Sequence, residues 1–184
     1  SYQDLTIYVD PYGGAKGFEG QKPADLALIT DIHGDHHHQE TLDGLDLSGA
    51  TVVAPQAVVE KLPAGKYKAI EVLSNGTSKT LNGAKITAIP MYNLPETEDS
   101  RHPKGRGNGY VVELGGKRLY FSGDTEDIPE MRALKNIDAA FVCMNLPYTM
   151  DVDQAASAVA EFKPKMVYPY HYRGTEGLSD VEKF

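Results

Sequence analysis

Cysteine is nearly absent: Cys143 is the only one in 184 residues, so no internal disulfide framework braces the fold. It lies in the apolar run 139–144, where a buried small hydrophobe is expected rather than a nucleophile. Basic residues are in deficit. Eighteen Lys and Arg stand against 26 Asp and Glu, a net charge of −8. With no basic stripe and no stacking platform, nucleic acid is disfavoured as a partner. No run is long and apolar enough to span a membrane, so no membrane partner is expected, and no signal peptide is visible. Ser1 is not a natural start and residues 5–9 already read as a strand. The chain is therefore expected to be trimmed at its N-terminus, and a cytoplasmic or a periplasmic location fits equally. Internal repeats, low-complexity segments and linkers are also missing, and a single domain spanning residues 1–184 is expected.

What is present is a series of short β-branched runs punctuated by turn residues. Residues 5–9, 25–30, Thr51–Ala54 and 67–73 read as strands. Run 25–30 is compact and apolar over residues 26–29, as expected of a strand buried on both faces. Helices are expected over residues 39–45 and from Pro55 through Leu62. Asn75-Gly76, Asn82-Gly83 and Gly115-Gly116 are hairpin signals, with Ser78–Leu81 expected to pair with 84–90 and 109–114 with Lys117–Phe121. Between the hairpins lies a long polar loop, residues 93–107. Later come a short helix over 129–134, a buried strand over 137–144, a helix opened by the Asp151/Gln154 capping-box spacing, and the strand Met166–Tyr170. Residues 179–184 read as the start of a helix. Hairpins followed by alternating strands and helices predict mixed sheets with helices outside.

Metal-ligand residue types gather directly behind the apolar runs. One cluster is Asp31, His33, Asp35 and His36; the others are His102, Asp124 and His171. Strand ends are where a rigid scaffold presents side chains to a cleft. In an extended segment, residues 31, 33 and 35 would point to one side, with His36 reaching over as the chain turns. Imidazole and carboxylate at this spacing suit two metal ions held close together. His37 and His38 are expected to be neighbours on the turn rather than ligands.

These residues carry a resemblance. His33-Gly34-Asp35-His36 is similar to the second half of the His-x-His-x-Asp-His signature of the metallo-β-lactamase fold. Ser122-Gly123-Asp124-Thr125 resembles the superfamily's Gly-Asp-Thr strand end, and residues 168–172 resemble its last ligand segment. Residues 146–151, the alanine-rich helix after them and Lys163-Pro164-Lys165 are similar to the branch of Zn-dependent hydrolases that includes ascorbate-6-phosphate lactonase-like proteins. Asp10-Pro11 fits that branch as well. The resemblance implies an α+β fold, the αββα four-layer sandwich, here lacking part of the usual N- and C-terminal elements. It implies His33 and His102 on one metal, Asp35, His36 and His171 on the other, and Asp124 bridging. Many relatives place the histidine corresponding to His102 earlier, where this chain has Asn93.

Asp31 stands where the signature has its first histidine. As a direct ligand it would bring, with Asp35 and Asp124, three negative charges, shifting a site that favours zinc somewhat toward manganese or iron. As a supporting group it would hold His33 or His102 by a hydrogen bond. The expected activity is metal-dependent hydrolysis of an ester, lactone or phosphoester by a metal-bridging hydroxide that Asp35 orients. Tyr148, Tyr172 and Arg106 are the candidate substrate-binding residues, and Arg101, Lys104 and Arg106 beside His102 would suit an anionic small molecule. A catalytically degenerate binding protein of the same fold is the alternative, ahead of a β-lactamase or a nuclease, and a homo-oligomer is left open.

Overall fold

In the computed structural model, which describes residues 2–184, the β-branched runs form two main groups of strands. The first group comprises β1 (Ile7–Val9), β2 (Leu26–Leu28), β3 (Thr51–Ala54) and β4 (Ala69–Val72), paired in that order in one parallel sheet. Every residue of β2 and β3 is buried, as their composition predicts. The helices α1 (Gln39–Gly44) and α2 (Gln56–Val59) make the crossovers. Leu42, Leu47 and Val58 form a core with Ala27, Ile29 and Val52.

The second group begins with the hairpin β5 (Ser78–Leu81) and β6 (Ala84–Met91), then β7 (Gly107–Leu114) and β8 (Lys117–Phe121), all antiparallel. Asn82 and Gly83 both have positive φ, 49° and 81°, as a type I′ turn demands. After α3 (Pro129–Arg132), the strands β9 (Ala139–Cys143) and β10 (Met166–Tyr170) add in parallel, giving the order β10-β9-β8-β7-β6-β5. Between them runs α4 (Val152–Phe162). Its buried Val152, Ala155, Ala158 and Phe162 recur at helical spacing and pack with Tyr120, Val142 and Met131. The two groups belong to two compact units, Ser1–Ser74 and Asn75–Phe184.

The start and stop of α4 follow from its sequence. Asp151 accepts from the Gln154 backbone N–H at 2.7 Å, and the Gln154 side chain accepts from the Asp151 N–H at 2.9 Å. Lys163, at φ 46°, turns the chain out before Pro164. Asp151→Ala is expected to cost ~1 kcal/mol of stability, read as a lower midpoint in urea unfolding with an unchanged slope.

Three expectations fail. Asn75-Gly76 closes no hairpin, because β4 and β5 on either side of it belong to different sheets. Residues 31–36 are not extended. β2 ends at Leu28, and the Thr30 N–H donates to the Asp10 side chain instead of to a strand. The chain then winds into a turn in which the His36 and His37 N–H groups both donate to the His33 carbonyl. Residues 179–184 form a turn rather than the first turn of a helix. Ahead of them lies a small hairpin that the sequence did not announce, β11 (Arg173–Gly174) with β12 (Gly177–Leu178). Among the described residues no helix is long and apolar enough to cross a membrane.

Candidate functional site

In the first unit, the turn after β2 carries Asp31, His33, Asp35 and His36. Asp31 is fully buried, with its Oδ2 2.8 Å from His33 Nδ1. Asp35 is about half exposed, and its Oδ1 lies 4.0 Å from His36 Nε2. His36 is buried and held from behind. Its Nδ1 is 2.8 Å from Asp10 Oδ2 and 2.9 Å from Thr30 Oγ1. The Thr30 hydroxyl itself donates to Asp10 Oδ2 at 2.6 Å, and a carboxylate only accepts. His36 Nδ1 is therefore the protonated nitrogen, which assigns the ring's lone pair to Nε2. Asp10 is the residue that sequence reasoning missed. Its position at the end of β1 was legible, but not its reach to a histidine 26 residues away.

His37 and His38 take structural places, as expected. His38 caps α1, accepting from the Thr41 N–H. His37 is buried, and its pKa is lowered by burial first and then by Lys61.

In the second unit, the β8 exit turns at Gly123, φ 61°, and delivers Asp124. The Tyr170 hydroxyl accepts from the Gly123 N–H at 2.9 Å and fixes that turn. Asp124 is 2% exposed. One of its oxygens, Oδ2, faces His102 Nε2 at 3.2 Å, and the other, Oδ1, faces His171 Nε2 at 3.5 Å. Each carboxylate oxygen thus meets a different imidazole. His102 is fully buried although it comes from the polar loop. His171 sits at φ 47°, a conformation few non-glycine residues adopt. Cys143, beneath this turn, is buried, and burial pushes its thiol up to about 11, consistent with an inert core residue.

The three cations of the polar loop have separate fates. Lys104 is committed to carboxylates, 3.1 Å from Glu130 and 3.4 Å from Glu96, above the Tyr92 ring. Arg106 donates to the Arg101 carbonyl at 2.6 Å. The Arg101 guanidinium lies over the Tyr148 ring, 4.3 Å from its centroid, and pairs with no carboxylate among the described residues. The Tyr148 hydroxyl is in turn bonded to Thr175 at 2.9 Å. Tyr172 packs against the α4 core. The side chains Asp31, His33, Asp35, His36, His102, Asp124 and His171 all offer atoms of metal-ligand type, and a mixed nitrogen and oxygen set of this kind fits divalent zinc, manganese or iron.

Comparison with known proteins gives the family. The profile of the beta-lactamase superfamily domain matches residues 1–171. The chain belongs to that superfamily, among the relatives named metal-dependent hydrolases. It is 32% identical to a UPF0173 metal-dependent hydrolase of Pyrococcus abyssi, covering 97% of this chain and 82% of the relative. A UPF0173 metal-dependent hydrolase of Thermus thermophilus is 31% identical over 83% of this chain and 67% of its own. A crystal structure from Parabacteroides distasonis superimposes with a TM-score of 0.82 at 42% identity, over 94% of this chain and 76% of that one. The metallo-β-lactamase fold protein YhfI of Bacillus subtilis, at 14% identity and a TM-score of 0.74 over 93% of this chain and 76% of its own, shares the fold. The fold is the metallo-β-lactamase fold, as the motifs implied.

Proposed function

We infer that this protein is a metal-dependent hydrolase that holds two divalent ions, zinc first, with manganese or iron as alternatives. In this reading His33 and His102 serve one ion, with Asp31 held against His33. Asp35, His36 and His171 serve the other, and Asp124 belongs to both. The observation that carries the reading is the Asp124 carboxylate, whose two oxygens face two different histidines at 3.2 and 3.5 Å. Bound divalent ions would supply Lewis acidity, lowering the pKa of a water and polarising a carbonyl or phosphoryl group. The chain's own residues do the rest. Asp10 holds the His36 ring in one tautomer. Asp35, the most exposed of the carboxylates, orients the attacking water.

The loop supports a substrate class. Arg101 has a fixed aromatic seat and no carboxylate partner among the described residues, so it can receive an anion next to His102. This supports a small anionic ester, lactone or phosphoester and narrows the three cations of the loop to Arg101, with Arg106 bracing its backbone. It gives no support to nucleic acid, which would need a broader basic surface.

The test is metal analysis of the purified chain followed by a panel of lactone, phosphodiester and cephalosporin substrates. Chelation is expected to abolish lactone or phosphodiester hydrolysis, and zinc or manganese to restore it. Less than one ion per chain with no turnover on any panel member would establish the catalytically degenerate alternative. Rapid cephalosporin turnover without esterase activity would overturn the substrate class.

A further inference from the structure

Asn93 follows β6 by two residues and opens the polar loop. It is buried, and all four hydrogen-bonding positions of its side chain are used. Its Oδ1 accepts from the His102 backbone N–H at 2.8 Å and lies 3.0 Å from His102 Nδ1. Its Nδ2 donates to the Tyr148 carbonyl at 2.8 Å and to Glu126 Oε1 at 3.0 Å. The backbone closes the same circuit, with the Asn93 N–H donating to the His102 carbonyl at 2.9 Å.

Two of these partners have a fixed polarity. A backbone N–H only donates and a backbone carbonyl only accepts, so His102 N and Tyr148 O between them fix which end of the amide is oxygen. The atom facing His102 is therefore an acceptor. His102 Nδ1 can donate to it only if Nδ1 carries the proton, which leaves the ring's lone pair on Nε2. That nitrogen lies 3.2 Å from Asp124 Oδ2. An imidazole lone pair beside a carboxylate oxygen is an arrangement that a shared divalent cation satisfies.

We propose that Asn93 is a positioning residue: it locks His102 in the Nδ1–H tautomer and thereby presents Nε2 as a metal donor. The proposal rests on His102 being a ligand, as argued above. It also accounts for the residue type. Aspartate could accept from His102 equally well, but it would set a carboxylate against Glu126 and the Tyr148 carbonyl, where donors are needed. The amide alone serves both sides.

The test uses the full chain and needs no substrate. Nitrogen-15 NMR of the metal-free protein, with the His102 ring signals identified by their loss in His102→Ala, is expected to show the Nδ1–H form. Asn93→Leu, close in size, is expected to lose that form and to bind zinc roughly 10–100-fold more weakly in a chelator competition. Asn93→Asp keeps the acceptor and is expected to keep the Nδ1–H form, so the assignment stays testable if Asn93→Leu does not fold. An Nδ1–H ring persisting in Asn93→Leu, or vanishing in Asn93→Asp, would overturn the proposal. Unchanged zinc affinity in His102→Ala would instead overturn the reading of His102 as a ligand. The two failures are distinguishable because the tautomer is read without metal.

Discussion

Asp124→Asn is expected to lower kcat/KM on any substrate the protein hydrolyses by on the order of 10³-fold, and to lower the zinc content of the purified chain. The side chain keeps its volume, so packing around it is preserved. What is lost is the charge. The carboxylate is 2% exposed and faces His102 and His171 with separate oxygens, so its charge would be shared by both ions. An amide has one oxygen and one NH₂ and can serve only one side as a donor of electrons. The turn that delivers it, fixed by Tyr170 on Gly123, is untouched by the substitution, so unfolding should not account for the effect. Metal content measured by elemental analysis, with activity measured on the same sample, checks it. Full metal and activity within tenfold of wild type would remove Asp124 from the centre.

Asp10→Ala is expected to weaken metal binding roughly 10–100-fold without removing any proposed ligand. Its carboxylate takes three contacts at once: the Thr30 N–H at 2.8 Å, the Thr30 hydroxyl at 2.6 Å and His36 Nδ1 at 2.8 Å. Alanine would let the His36 ring change tautomer and tilt, and would strip the Thr30 N–H of its acceptor. The second loss should also cost about 1–3 kcal/mol of stability. Zinc titration and urea unfolding separate the two effects. Asp10→Asn should recover much of the stability but not the affinity, because an amide oxygen is a weaker partner for the ring N–H than a carboxylate. Equal zinc affinity in wild type and Asp10→Ala would show that His36 needs no support.

Much of the fold was legible because it is locally encoded. Asn82-Gly83 fixed one hairpin, Gly115-Gly116 another, and Asp151 with Gln154 placed the start of α4. The candidate ligands were legible too, since His33-Gly-Asp-His36 and Gly123-Asp124 are short motifs. What the sequence could not show was long-range. The turn at residues 31–36 depends on Asp10 capturing Thr30 from 20 residues away, and nothing local distinguishes it from an extended strand end. The β11–β12 hairpin has two-residue strands, too short for any period to show. Lys104 reads as a free cation in sequence but is neutralised by Glu130, 26 residues on, and by Glu96. Asn93 stands out in sequence only as the place where many relatives carry a histidine, and its bonds to His102, Tyr148 and Glu126 are not legible there.

The reciprocal bonds between Asn93 and His102 also set the rules by which this loop can change. The clamp fixes both ends of the segment 94–101, so its interior is insulated from the site. For a flexible loop so closed, each doubling of length costs only about 0.6 kcal/mol. Residues inserted between Pro95 and Ser100 would therefore alter the surface beside Arg101 while leaving His102 where it is. Within this chain, that segment is the natural cassette for changing which molecules are accepted without disturbing how they are cut.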